Sequence, residues 1–247
     1  MALARLFIDD ALSTGKKLQL NDEQARYVGR VLRLRVDDPL QVFNGEDGEF
    51  AAEILAIRKS TATVLVGEHL QTETESPLRV HLVQGISRGE RMDFVVQKAT
   101  ELGVKRVSPV LTEYGVVKLD AERAAKRRDH WQKVAASACE QSGRIRPPLI
   151  DTPVPLKTWF GAQPKDADID LILRPGATTA LTSIATPQTK VCILIGPEGG
   201  FSPVEYEDAA VAGFTEVSLG PRILRTETAA TAAIAVMQAM WGDLRLD

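Results

Sequence analysis

The sequence predicts an α/β architecture in which a small β-barrel or meander precedes a larger domain built on a parallel sheet. Between residues 39 and 66 apolar residues recur with period two, the spacing of half-buried strands. Beyond Pro77 short apolar runs alternate with helical patterns, the order of a parallel sheet covered on its faces. A third observation points to the site. Val191-Cys192-Ile193-Leu194-Ile195 and Glu216-Val217-Ser218-Leu219 each run into a Gly-Pro turn, and open α/β sheets bind ligands outside the carboxyl ends of their strands.

In chain order, residues 3–8 form a short strand. Asn21-Asp22-Glu23-Gln24 has the form of a capping box, so a helix starts there and carries Tyr27, Val28, Val31 and Leu32 toward a core. Arg26, Arg30 and Arg33 recur on another face and, with Arg35, make a cationic patch suited either to solvent or to phosphate. Strands follow at 40–43, 50–55 and 62–66, the first two joined across Asn44-Gly45 and Asp47-Gly48. The polar, proline-closed stretch 71–77 separates a first domain, 1–74, from a second, 75–247. In the second domain strands are expected at 79–86, 106–111 and 170–173. Helices are expected at 91–102, with Phe94, Val95 and Leu102 inward, at 121–141, around 177–184, and at 228–241, where alanines let neighbouring backbones come close.

The 247 residues carry a formal charge of -3, which argues against a general polyanion binder while leaving room for a local basic face. Cys139 and Cys192 lie far apart in a predicted helix and a buried strand, so neither a disulfide framework nor a zinc site is expected. No signal-peptide core and no apolar run of membrane-spanning length is seen, which predicts a cytoplasmic protein with no membrane partner.

G-x-G-x-x-G after a strand, the P-loop pattern and H-E-x-x-H are all missing. His69, His81 and His130 are scattered and read as surface or strand-end residues, and no metal is expected. The loop Gly196-Pro197-Glu198-Gly199-Gly200 is different in kind, because glycine lets a ligand approach the backbone without meeting a Cβ. Ser202 and Glu205 form a capping box for the next helix. Glu198 has no such role: it either accepts from a ligand or bonds neighbouring N–H groups. The stretch Leu219-Gly220-Pro221-Arg222-Ile223-Leu224-Arg225 supplies backbone polar groups and apolar side chains suited to a flat heterocycle. Arg225 is either free for a ligand or tied to Glu227 or to a strand-end carbonyl.

Five segments taken together resemble the ribosomal RNA small subunit methyltransferase E family. They are Arg88-Gly89-Glu90-Arg91-Met92-Asp93, Gln97-Lys98-Ala99-Thr100-Glu101-Leu102-Gly103-Val104, Glu140-Gln141-Ser142-Gly143-Arg144, the 196–202 loop, and Leu219 through Ala229. Val31-Leu32-Arg33-Leu34-Arg35 is similar to part of that family's PUA-like RNA-binding β-barrel, and the rest to its SPOUT-type, trefoil-knotted parallel-sheet methyltransferase domain. One departure is Tyr114-Gly115, where the family has an arginine and a small residue.

The resemblance implies S-adenosylmethionine (SAM) as cofactor, a homodimer, and methylation of N3 of a uridine in 16S rRNA of the small subunit. It implies a cofactor site lined by Leu173, Leu194, Ile195, Gly196, Glu198, Gly199 and Gly200 from one side, and by Leu219, Gly220, Ile223, Leu224 and Arg225 from the other. Arg26, Arg30, Arg33, Arg35, Arg88, Arg91 and Arg144 are the expected RNA contacts. Uridine N3 carries a proton near neutral pH, so the chemistry needs a proton acceptor and a cation beside a base carbonyl. Arg225 is the expected cation, ahead of Arg88 and Arg144, and Glu227, Glu198 and Glu101 are the candidate acceptors. Two rival readings are a ribose 2′-O-methyltransferase of the same fold and a non-catalytic RNA-binding or ribosome-assembly protein.

Overall fold

The computed structural model describes residues 3–58, 61–163, 166–187 and 189–244. The chain forms two compact units: Met1–Glu75 with Cys139–Pro147, and Ser76–Ala138 with Pro148–Asp247.

In the first unit β1 (Ala4–Phe7), β2 (Lys17–Leu20), β3 (Pro39–Phe43), β4 (Glu49–Ile57) and β5 (Ala62–Leu70) make one sheet in the order β1-β3-β4-β5-β2. The period-two pattern is realised as predicted: Leu40, Val42, Ile54, Val64 and Val66 all point into one apolar core. The β3–β4 turn is fastened by Asn44 Oδ1, which accepts from the backbone N–H groups of Glu46 and Asp47. Helix α1 (Asp22–Arg26) starts at the predicted capping box, with both reciprocal bonds between Asn21 and Gln24 formed.

After α1 the helical periodicity breaks. Tyr27–Val31 is a turn of π-helix, in which Leu32 N–H donates to Tyr27 O at 3.0 Å. The wider turn shifts the facing of every later side chain, so Val28 is fully buried while Val31, expected inward, is 66% exposed. Polar groups close the unit beneath β1. Arg5 bonds Glu49 at 2.7 Å and the carbonyls of Cys139 and Arg144 at 2.5 and 3.1 Å. Burial pushes the Cys139 thiol up to about 12, against the pull of Arg144, which makes it an inert packing group.

The second unit contains β6 (Arg79–Gly85), α2 (Arg91–Glu101), β7 (Arg106–Leu111), most of α3 (Ala121–Ser142), β8 (Leu149–Ile150), β9 (Val154–Pro155) and α4 (Leu156–Ala162). It continues with β10 (Ile169–Leu173), β11 (Lys190–Ile195), α5 (Pro203–Val211), β12 (Thr215–Val217) and α6 (Thr226–Trp241). The sheet runs β12-β10-β11-β6-β7-β8, with β9 also on β7, and the pairings between these strands are parallel. Alternate residues of β11 enter two separate cores. Val191, Ile193 and Ile195 pack with residues of α2 and α6, while Cys192 and Leu194 pack with Trp159, Phe201 and Phe214. Burial on both faces explains the unbroken apolar run. No helix among the described residues is long and apolar enough to cross a membrane.

Two sequence expectations are corrected here. The helix expected around 177–184 is only a 3₁₀ turn, Leu181–Ser183, because Ala180 pairs with Ser218 as a parallel bridge and Leu181 N–H donates to Ser218 O. Backbone pairing with the exit of β12 overrides local propensity there. Phe94, expected inward, is 44% exposed, since α2 buries Met92, Val95, Val96 and Ala99 instead.

His81 on β6 sits edge-on to Trp159 and bonds Ser108 at 2.7 Å, and Ser108 in turn donates to Asp151. Burial, reinforced by the Arg106 charge, lowers its pKa to about 4. The unfolded chain therefore takes up a proton near the ordinary histidine value of about 6.5, where the folded chain does not. Stability is full above that range and is lost as pH falls from there toward 4, by on the order of 2–3 kcal/mol. Urea midpoints measured across this window are expected to fall less for His81→Gln than for the parent.

Candidate active site

Three neighbouring parallel strands, β12, β10 and β11, end at the same edge of the sheet, and their following loops surround one cavity of about 490 Å³. This volume lies within the usual range for small-molecule sites, roughly 300–1,000 Å³. The end of β10 and its loop give Leu173 and Arg174; the end of β11 and its loop give Ile195, Gly196, Glu198 and Gly200. The loop after β12 contributes Leu219, Gly220, Ile223, Leu224 and Arg225, and the start of α6 adds Thr226 and Glu227. The two Gly-Pro turns singled out in the sequence thus open into a common hollow, with the β10 loop as a third wall.

Two of the expected lining residues are placed elsewhere. Leu194 is fully buried in the core on the other face of the sheet. Gly199 backs onto the 114–115 turn, where a Cβ would come within 2.8 Å of Tyr114 O. The Tyr114-Gly115 departure therefore lies against the glycine loop, and Glu113 N–H donates to the helix-capping Glu205 beside it at 2.8 Å.

The loops are tied together by residues that sequence reasoning missed. Thr226 Oγ1 donates to Gly196 O at 2.7 Å, and Gln84 Nε2 donates to Thr226 Oγ1 at 3.0 Å, so the start of α6 is fastened to the glycine loop. Gln84 is fully buried within β6, and its place in the apolar run Val80-His81-Leu82-Val83-Gln84 was the available signal. Gly85 after it allows close approach, since a Cβ there would meet Pro197 N at 2.6 Å.

The three acidic candidates separate by their partners. Glu198 accepts from the Arg91 guanidinium and, at 3.2 Å, from Arg88 N–H. Burial pushes its carboxyl up, but backbone N–H groups and Arg91 outweigh this and hold it below the usual carboxylate range. Glu101 is bound to Lys98 at 2.8 and 2.9 Å. Glu227 is different: its nearest cation is Arg91 at 4.0 Å, and its Oε2 is buried with no hydrogen-bond partner among the described residues. Arg225 is exposed at the N-cap of α6, and its side chain makes no hydrogen bond or ion pair among the described residues. Neither Glu227 nor a strand-end carbonyl holds it.

A family model described as an RNA methyltransferase domain matches residues 74–238, and one described as an RNA methyltransferase PUA domain matches residues 20–67. The chain is 35% identical to the ribosomal RNA small subunit methyltransferase E of Buchnera aphidicola, over 98% of this chain and 96% of that one. The chain belongs to the ribosomal RNA small subunit methyltransferase E family. The enzyme of that name from Bacillus subtilis is 28% identical over 99% of this chain and all of its own. A crystal structure of the Neisseria gonorrhoeae methyltransferase E bound to S-adenosyl methionine superposes with a TM-score of 0.91 at 38% identity, covering 99% of this chain and 100% of that one.

In this member of the methyltransferase E family the expected RNA-contact arginines fall into three groups. Arg26, Arg30, Arg33 and Arg35 are exposed in the first unit, the first two lining a shallow hollow with Tyr27. Arg88 is exposed beside the cofactor-loop candidate Glu198, and Arg91 forms a wall of the cavity. Arg144 is corrected: it is 3% exposed and bonds Glu75 at 2.8 Å, so it serves the interior of the first unit and presents nothing to a ligand.

Proposed function

We propose that the protein transfers a methyl group from SAM to N3 of a uridine in 16S rRNA of the small ribosomal subunit, working as a homodimer in the cytoplasm. Residues 1–74, with the 139–147 segment packed into the same unit, supply the PUA-like RNA-binding part, and the rest of residues 75–247 the catalytic part. The observation that carries this reading is the cavity at the carboxyl ends of β10, β11 and β12. It combines apolar walls for a heterocycle with a carboxylate that keeps one oxygen unpartnered among the described residues, Glu227, and the guanidinium of Arg225 at the start of α6.

Leu173, Ile195, Leu219 and Leu224 offer the apolar contacts, and the glycine loop leaves backbone open to the ligand. SAM, when bound, supplies an electrophilic methyl carried on a sulfonium leaving group. The protein's own work is alignment and proton handling. Glu227 takes the N3 proton, and Arg225 neutralises the charge that then spreads onto the adjacent carbonyl oxygen. Glu198, held by Arg91 and the Arg88 backbone, keeps the loop in shape.

Unmodified small subunits incubated with protein and labelled SAM, digested to nucleosides and analysed by mass spectrometry, are expected to yield 3-methyluridine. A 2′-O-methylated nucleoside would overturn the assignment to N3. Absence of calorimetric heat with millimolar SAM would overturn the enzymatic reading altogether. Arg225→Ala is expected to lower turnover by about 10²-fold, the scale of one lost charge-stabilising donor.

A further inference from the structure

We propose that the target base stacks on Phe94, in a second hollow that meets the cofactor cavity at Arg91 and Glu227. The inference rests on the reading above and names where the base lies. A hollow of about 670 Å³ is lined by Phe94, Gln97 and Val134 with the charged residues Glu90, Arg91, Asp93 and Glu227, and Arg91 and Glu227 also line the 490 Å³ cavity. A base seated there lies next to the methyl donor, which in-line transfer requires.

The lining matches the chemistry of uracil. A base presented to an enzyme must leave its stack, and an aromatic face replaces the lost stacking. Phe94 is 44% exposed and is the aromatic residue of this hollow. It lies outside the inner face of α2, which Met92, Val95, Val96 and Ala99 bury, and Lys98 Nζ sits over its ring at 5.8 Å from the centroid. Its position is nonetheless firm: the neighbouring Asp93 accepts from Trp131 Nε1 at 2.9 Å and bonds His130 Nε2 at 2.8 Å, which locks α2 to α3. Glu227 Oε2, buried and without a partner among the described residues, is an acceptor for the N3 proton. Gln97 and Arg91 carry N–H donors for the carbonyl oxygens.

The test separates stacking from simple apolar contact. Phe94→Leu keeps an apolar side chain and loses the ring, whereas Phe94→Trp keeps a ring. With unmodified small subunits as substrate, Phe94→Leu is expected to lower kcat/KM by roughly 5- to 100-fold, and Phe94→Trp to stay within about twofold of the parent. SAM affinity by calorimetry and molecular mass by sedimentation are expected to be unchanged in both. Equal activity of Phe94→Leu and the parent would overturn the inference, as would a loss of SAM affinity or of self-association in Phe94→Leu. A parent protein that yields no methylated uridine would overturn the underlying reading instead, so the two failures are distinct.

Discussion

Glu227→Gln is expected to bind SAM as the parent does and to lose about 10²- to 10⁴-fold in turnover, the range set by removing a general base. The substitution keeps shape and hydrogen-bonding capacity while removing the ability to accept a full proton. Three features of the site single out this carboxylate. Glu101 is engaged by Lys98 and does not line the cavity. Glu198 is engaged by Arg91 and by backbone N–H, and those contacts favour its ionised form and weaken it as a base. Glu227 lines both hollows and keeps one oxygen uncommitted among the described residues, on a helix start that Thr226 fastens to Gly196 O at 2.7 Å. Single-turnover methylation of unmodified small subunits, with SAM binding measured in parallel, checks the assignment. Full turnover in Glu227→Gln would remove Glu227 from the mechanism.

Arg144→Met is expected to destabilise the first unit by about 3–5 kcal/mol, because it removes the guanidinium paired with a buried carboxylate. The Arg144 and Glu75 side chains are each 4% exposed and meet at 2.8 Å, and Glu75 also accepts from Arg146 N–H at 3.2 Å. The Arg144 carbonyl accepts from Arg5 at 3.1 Å, which links the pair to the Arg5–Glu49 bond. Once the guanidinium is gone, the Glu75 carboxylate loses its 2.8 Å cationic contact while its side chain stays only 4% exposed. Urea unfolding is expected to show a lower midpoint at unchanged slope. Adding Glu75→Gln should recover much of the loss, since the double variant no longer buries a charge deprived of its guanidinium. A midpoint within experimental error of the parent would show that the pair contributes nothing and that Arg144 is held for another reason.

The legible parts of the fold were those with a strong local period. β3, β4 and β5 follow the period-two pattern, and β11 is an uninterrupted apolar run buried on both faces. The capping boxes at Asn21 and Ser202 form as their spacing predicts, because a cap needs only residues within one turn. The short strands β2, β8 and β9 were missed. At two to four residues they carry almost no period, and they are defined by the strand they pair with. The π-turn at Tyr27–Val31 was illegible for a related reason: its hydrogen-bond shift leaves no mark in composition yet moves Val31 from core to solvent.

By itself the sequence determined the α/β class, the two Gly-Pro turns, the acidic and basic candidates near them, and the family resemblance, since all of these are written in spacing and residue type. Only the tertiary structure decided which charges were already spent. Arg144 and Glu198 have partners 69 and 107 residues away, respectively, while Glu227 keeps an uncommitted oxygen among the described residues. Whether a carboxylate acts as an anchor or as a base depends on what long-range packing brings within about 3 Å of it, and that distance has no signature in a linear chain.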